Sequence, residues 1–142
     1  MKALIDTCVV IDFLQKREPF APSAKKIFYG MAADSFSGYI TSKAITDIYY
    51  LIHRCTHSDK ESREKINQLL SLIGLIDTTA EDIFHALASD ISDFEDAVMV
   101  FSAVRADMDC IVTRNIKDYL KASIAVYTPE QFLNMLEDEK PS

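Results

Sequence analysis

The sequence predicts an α/β fold, a three-layer α/β/α sandwich around a central parallel sheet of about four to five strands. Two observations carry this expectation. Short apolar runs alternate along the chain with stretches whose apolar residues recur at helical spacing, the pattern of parallel βαβ units with right-handed crossovers. Four of the helix-like stretches that follow such runs also carry a carboxylate near their start: Asp6, Asp47, Asp96 and Asp118. In an open parallel sheet the carboxyl ends of the strands share one crevice, so acids placed just beyond them can converge.

Residues 2 to 6 read as a short buried strand built on Ala3, Leu4 and Ile5. Thr7 starts a helix with Val10, Phe13 and Leu14 on one face, broken near Pro19 and Pro22. From Ser23 the residues Ala24, Ile27, Phe28 and Met31 give a second helix ending around Ala33, so the two form a helical hairpin. Residues 38 to 41 are the next strand, and Ser42 is the expected cap of a helix bearing Ile45, Ile48, Tyr49 and Ile52. Asp59 is the expected cap of a further helix over 60–72, followed by a strand at 74–77. Thr79 caps a helix through Ala88, and Ser92 with Glu95 has the spacing of a capping box ahead of Val98, Phe101 and Val104. Residues 110 to 113 are strand-like, Asn115 opens a turn or two of helix, 124–127 is a last strand, and Pro129 begins a helix ending near Glu137. The organisation is therefore one domain over 1–137 and a polar C-terminal tail over 138–142.

With 142 residues, 49% of them hydrophobic and only three Gly and four Pro, the chain can bury a sizeable core and does not resemble a disordered one. Cys8, Cys55 and Cys110 are an odd number without close spacing, which argues against both a disulfide framework and a zinc site and favours a reducing compartment. The apolar run before Asp6 is too short for a signal peptide, and no run reaches the ~18 residues of a membrane span, so a cytoplasmic protein with no membrane partner is expected. The formal net charge of −7 disfavours a polyanion partner unless the acids cluster around a cation. In that case Lys16, Arg17, Lys25, Lys26, Lys43, Arg54, Arg114, Lys117 and Lys121 remain to hold a phosphate backbone.

Converging carboxylates repel one another unless a cation lies between them, and hard cations such as Mg²⁺ or Mn²⁺ take a few carboxylates plus water and substrate phosphate. The acids therefore point to a metal-dependent phosphodiesterase. Each acid also has a plainer role open to it. Asp6 can cap the helix after the first strand, with Thr7 as a cap or hydrogen-bonding neighbour. Asp47 can point outward as an i,i+4 partner of Lys43. Asp96 is the expected metal ligand of its helix, with Glu95 structural and Asp93, three residues earlier, on the same face. In the segment from Thr113 to Asp118, Thr113 or Asn115 can bind a metal-bound water, Asp118 completes the acidic set and Arg114 offers a planar fork to phosphate. Asn115 and Asp118 can equally be a cap and a helical residue. His53, His57 and His85 are given no catalytic role.

The stretches Leu4-Ile5-Asp6-Thr7-Cys8-Val9-Val10-Ile11-Asp12, residues 42 to 50, Asp93-Phe94-Glu95-Asp96-Ala97 and Ile111-Val112-Thr113-Arg114-Asn115-Ile116-Lys117-Asp118-Tyr119 resemble, in that order, the PIN-domain family of ribonucleases. Members of the family commonly serve as the toxin of a VapBC-type toxin–antitoxin pair. The resemblance implies an Mg²⁺- or Mn²⁺-dependent endoribonuclease whose acids match Asp6, Asp47, Asp96 and Asp118, with Asp6, Asp96 and Asp118 on the metal. It also implies an RNA substrate, an antitoxin partner and a homodimer. The chain departs from the family at Asp47, where most members have Glu, at Asn115, where many have Asp, and at Cys8, where Asn or Ser is frequent.

Two other classes compete. One is a non-catalytic interaction module with a vestigial acidic site and the N-terminal helical hairpin as its partner surface. The other is an aspartate-based phosphatase of the haloacid-dehalogenase kind, which would want an acid where Cys8 stands. A receiver-like signalling domain lacks its adjacent acidic pair after the first strand.

Overall fold

The computed structural model describes residues 1–139. Its strands are β1 (Lys2–Ile5), β2 (Ser37–Thr41), β3 (Gly74–Ile76), β4 (Cys110–Val112) and β5 (Ala125–Tyr127). The α-helices are α1 (Thr7–Leu14), α2 (Ala21–Ala32), α3 (Ser42–Thr56), α4 (Asp59–Leu70), α5 (Ala80–Leu87), α6 (Phe94–Arg105) and α7 (Pro129–Glu139), and a 3-10 turn covers Ile116–Tyr119. The strands form one sheet, parallel throughout, in the order β3-β2-β1-β4-β5. The expected α/β architecture with its parallel sheet is the one observed.

Strand alternation separates two packed layers. Ala3 and Ile5 of β1 and Cys110 and Val112 of β4 face a core shared with Val9, Ile27, Phe28, Ile48 and Phe132. Leu4 and Ile111, one residue out of phase, face a second core with Val100, Ala103 and Tyr119. Both strands are buried on both faces, which is why they read as continuous apolar runs rather than alternating ones. Their neighbours set the register: Leu4 lies between Tyr39 and Ile111, and Ile5 lies opposite Val112. The α1–α2 hairpin is closed by Phe13 stacked on Phe28 at a centroid separation of 4.1 Å.

Several helix starts lie one residue from where the sequence puts them. Thr41, not Ser42, caps α3, its hydroxyl accepting from the Ala44 N–H at 3.2 Å, while the Ser42 hydroxyl donates to the Ile76 carbonyl. Ser58, not Asp59, caps α4. The proposed Ser92–Glu95 capping box does not form; Asp93 caps α6 by accepting from the Asp96 N–H at 2.9 Å. Pro22 does not precede α2 but occupies its first turn, where a missing N–H costs nothing. Thr79 caps α5 as expected, in a reciprocal box with Asp82. Helix α7 continues to Glu139, so it takes in the first two residues assigned to the tail; the others, 140 to 142, lie outside the described residues.

Candidate active site: an acidic cleft at the carboxyl edge of the sheet

Where β1 ends, the ladder to β4 runs one residue further: the Asp6 N–H donates to the Val112 carbonyl at 2.9 Å. That bond sets Asp6 beside Thr113, whose hydroxyl donates to the Asp6 carboxylate at 2.7 Å and accepts from the Asn115 N–H at 3.2 Å. Thr113 is wholly buried, so its hydroxyl is a fixed fixture rather than a solvated one. Asp6 occupies the cap position of α1, yet its side chain makes no cap hydrogen bond. Burial pushes the Asp6 carboxyl above its usual range, against the lowering effect of the Thr113 and Cys8 side chains and the N–H groups of Thr7 and Cys8.

The first turn of α6 delivers Asp96 to the same place. Its carboxylate accepts from the Tyr119 hydroxyl at 2.9 Å. Burial raises the Asp96 carboxyl to about 6; the Tyr119 bond opposes that rise, and the charges of Asp93, Asp6 and Asp118 add to it. Those three couplings identify the acids that share the site's field. No Lys or Arg among the described residues lies within ion-pair distance of Asp6 or Asp96.

Asp6, Thr7, Asp47, Glu95 and Asp96 line one cleft of about 150 Å³ together with Thr41, Lys43 and Thr78. Asp47 is both things the sequence allowed: it lines the cleft and it pairs with Lys43 at 3.7 Å. Asp118 lies on the 3-10 turn, outside the cleft's lining but close enough for its charge to raise Asp96. Asn115 is exposed, and its side chain does not cap the turn. Arg114 turns away from the acids: its Nε stands 2.7 Å from a carboxylate oxygen of buried Asp12, and its guanidinium lies 3.9 Å over the Phe20 ring. The guanidinium fork is thus held between a buried acid and an aromatic face.

Two participants, Tyr119 and Thr78, went unrecognised in the sequence, and Lys43 was read only as a partner of Asp47 and as one of several cations for a phosphate backbone. Tyr119 is buried, and a buried phenol needs a partner for its hydroxyl; that requirement, applied to the residue after Asp118, is the signal that could have found it. Lys43 bridges Asp47 and Glu95 across the cleft at 3.7 and 3.5 Å, and Glu95 serves this ion pair instead of a cap. The Thr78 hydroxyl, buried in the lining, has no hydrogen-bond partner.

Among the described residues no group of three or more His, Cys, Asp or Glu is gathered tightly enough to hold a metal ion by protein ligands alone. The donor set suits Mg²⁺ or Mn²⁺ instead, which bind through one or two carboxylates and keep water and substrate oxygens for the remaining positions. Asp6 and Asp96 are hard oxygen donors with neutral hydrogen-bond partners and no basic one among the described residues, in a field of excess negative charge.

Comparison with known proteins agrees with this architecture. The chain has the fold of VapBC2 from Rickettsia felis, solved on a promoter DNA fragment, at a TM-score of 0.64 and 18% identity over 89% of this chain and 97% of that one. A toxin–antitoxin complex from Klebsiella pneumoniae matches at a TM-score of 0.65 and 21% identity, over 89% and 97% of the two chains. Mycobacterium tuberculosis VapC20, a toxin that cleaves the sarcin–ricin loop, matches at a TM-score of 0.58 and 13% identity over 77% and 86%. No curated protein matches the sequence. The PIN-domain family model matches residues 2–117, which carry Asp6, Asp47, Asp96 and the β4 segment through Asn115, and the chain belongs to the PIN-domain family.

Proposed function

We propose that this chain is a metal-dependent endoribonuclease, the toxin of a VapBC-type pair, hydrolysing RNA phosphodiester bonds with Mg²⁺ or Mn²⁺. The observation that carries the reading is the convergence of Asp6 and Asp96 in one cleft without a basic partner of their own, at the carboxyl edge of the sheet where open parallel folds bind their ligands. When bound, a divalent cation supplies an activated water and neutralises charge building on the phosphate. Asp6 and Asp96 hold it, Asp118 and Asp47 complete the acidic set, and Asp93 fixes the start of α6. The Thr113 hydroxyl on Asp6 and the Tyr119 hydroxyl on Asp96 hold the two carboxylates in place; such supporting bonds orient metal ligands and tune their basicity. A water nucleophile makes the RNA 2′-hydroxyl unnecessary.

An antitoxin partner is supported by the solved neighbours, several of which are toxin–antitoxin complexes. A homodimer belongs to the same reading, and light scattering on the purified chain checks it. A cytoplasmic location is in keeping with three cysteines that form no disulfide.

The test is cleavage of a mixed pool of structured and single-stranded RNA by the purified chain in Mn²⁺, Mg²⁺ or EDTA, beside Asp6→Asn and Asp96→Asn. Metal-dependent cutting lost in both variants is expected. Cutting that persists in EDTA, or in either variant, contradicts the assignment.

A further inference from the structure

Among the described residues the acidic cleft has one basic residue in its lining, Lys43. Its ammonium lies between Asp47, one turn on along α3, and Glu95, on the facing first turn of α6, so the ion pair spans the cleft from one helix start to the other. Arg114, whose planar fork the sequence also offers to phosphate, is paired with Asp12 and lies over Phe20. A chain with a formal net charge of −7 must nevertheless bring a polyanion to these acids.

We propose that Lys43 is the phosphate-contacting residue of the cleft, paired with Asp47 and Glu95 in the structure and transferred to the RNA backbone when a divalent cation neutralises the acids. This rests on the nuclease reading above. Release from the ion pair is easy. The side chains of Lys43, Asp47 and Glu95 are 48%, 57% and 75% exposed, and exposed pairs at such distances hold weakly. The replacement partner is better: a phosphate oxygen offers the ammonium a charge-assisted bond. Exchange also frees Asp47, so cation binding and substrate binding reinforce each other through a single lysine. The stem of Lys43 rises from the second residue of α3, whose backbone Thr41 pins by its cap bond to Ala44, so the side chain swings from a fixed base.

The experiment compares wild type, Lys43→Met, Lys43→Arg and Asp96→Asn in two titrations. Mn²⁺ binding is read by calorimetry without RNA, and binding of a fluorescein-labelled mixed-sequence single-stranded RNA is read by anisotropy in Ca²⁺ over a salt series. Removing a positive charge beside a cation site strengthens cation binding, so Lys43→Met is expected to bind Mn²⁺ about five-fold more tightly at low salt. The same variant should bind RNA more weakly, and its plot of log affinity against log salt should be shallower by about 0.7, the loss of one single-strand phosphate contact. Lys43→Arg should keep the wild-type slope. The two opposite signs separate this role from a structural one, which would lower both affinities together. An RNA affinity and salt slope equal to wild type, or Mn²⁺ and RNA affinities that fall in parallel, overturn the proposal. If Asp96→Asn abolishes Mn²⁺ binding while Lys43→Met matches wild type throughout, the nuclease reading stands and the lysine role falls. Absence of Mn²⁺ binding in wild type overturns both.

Discussion

Two kinds of acid are buried or half-buried in this chain, and they are treated in opposite ways. Asp12 and Asp82, each 1% exposed, are met by an arginine: Arg114 at 2.7 Å and Arg105 at 3.0 Å. Asp82 also accepts from the Thr79 N–H and the Ser102 hydroxyl, and Arg105 reaches on to the Asp77 carbonyl. Burial alone would raise the Asp82 carboxyl, but its bonds to Thr79 and Arg105 and the Arg105 charge outweigh that and hold it below the usual range. Asp6 and Asp96 receive hydroxyls in place of cations, and both are raised. The difference teaches that the fold places arginines on the acids that hold its interior and withholds such partners from Asp6 and Asp96. Uncompensated charge there is a standing demand for a ligand of opposite sign.

The comparison breaks most visibly under substitution. Asp12→Ala and Asp82→Ala each strand an arginine and are expected to cost about 3 kcal/mol in unfolding free energy, which urea titration measures. Asp6→Asn and Asp96→Asn remove repulsion and should match or exceed wild-type stability. A loss of more than about 1 kcal/mol in Asp96→Asn would place Asp96 with the structural acids.

The sign of a pH effect sharpens it further. Asp96 titrates at about 6 in the folded chain against an ordinary value of 3.8, so between those values the folded state holds more protons than the unfolded one. Its contribution to stability therefore falls as pH rises from 3.8 to about 6, and the full penalty is present above that. In metal-free protein Asp96→Asn should melt about 2–4 °C above wild type at neutral pH, with the gap closing toward pH 4. A gap that is constant across this range contradicts the assignment.

Smaller effects are expected from the hydroxyls. Thr113→Val removes the bond that orients Asp6 and should weaken Mn²⁺ binding by about ten-fold, as calorimetry would show. Tyr119→Phe removes a group that favours the charged form of Asp96. The pH at which Mn²⁺ binding is half lost should rise by roughly half a unit. An unchanged midpoint would show that the phenol only fills space in the second core.

Much of this was legible in the sequence because local physics wrote it there. The runs at Ala3–Ile5 and Cys110–Val112 are short, apolar and abruptly ended, as a strand buried on both faces of a parallel sheet is. The acids were found because they follow such runs. Helix starts were less legible: at Thr41-Ser42, Ser58-Asp59 and Ser92-Asp93 two adjacent residues can both cap, and the choice depends on the residue at which the incoming strand or loop lets the backbone turn helical. Partners across the chain were not legible at all. Arg114 meets Asp12 from 102 residues away and Tyr119 meets Asp96 from 23, and only the sheet order β3-β2-β1-β4-β5 brings them together. The partners of Arg114 were missed for that reason, since its planar fork was read without the buried acid that pairs with it.

The most direct test of the contrast between the two kinds of acid is thermal unfolding of wild type and Asp96→Asn at neutral pH, with and without millimolar Mn²⁺. The account predicts that Mn²⁺ raises the wild-type melting temperature by several degrees through binding to the folded state alone, and leaves Asp96→Asn unmoved. Equal shifts in the two proteins, or none in wild type, would contradict it.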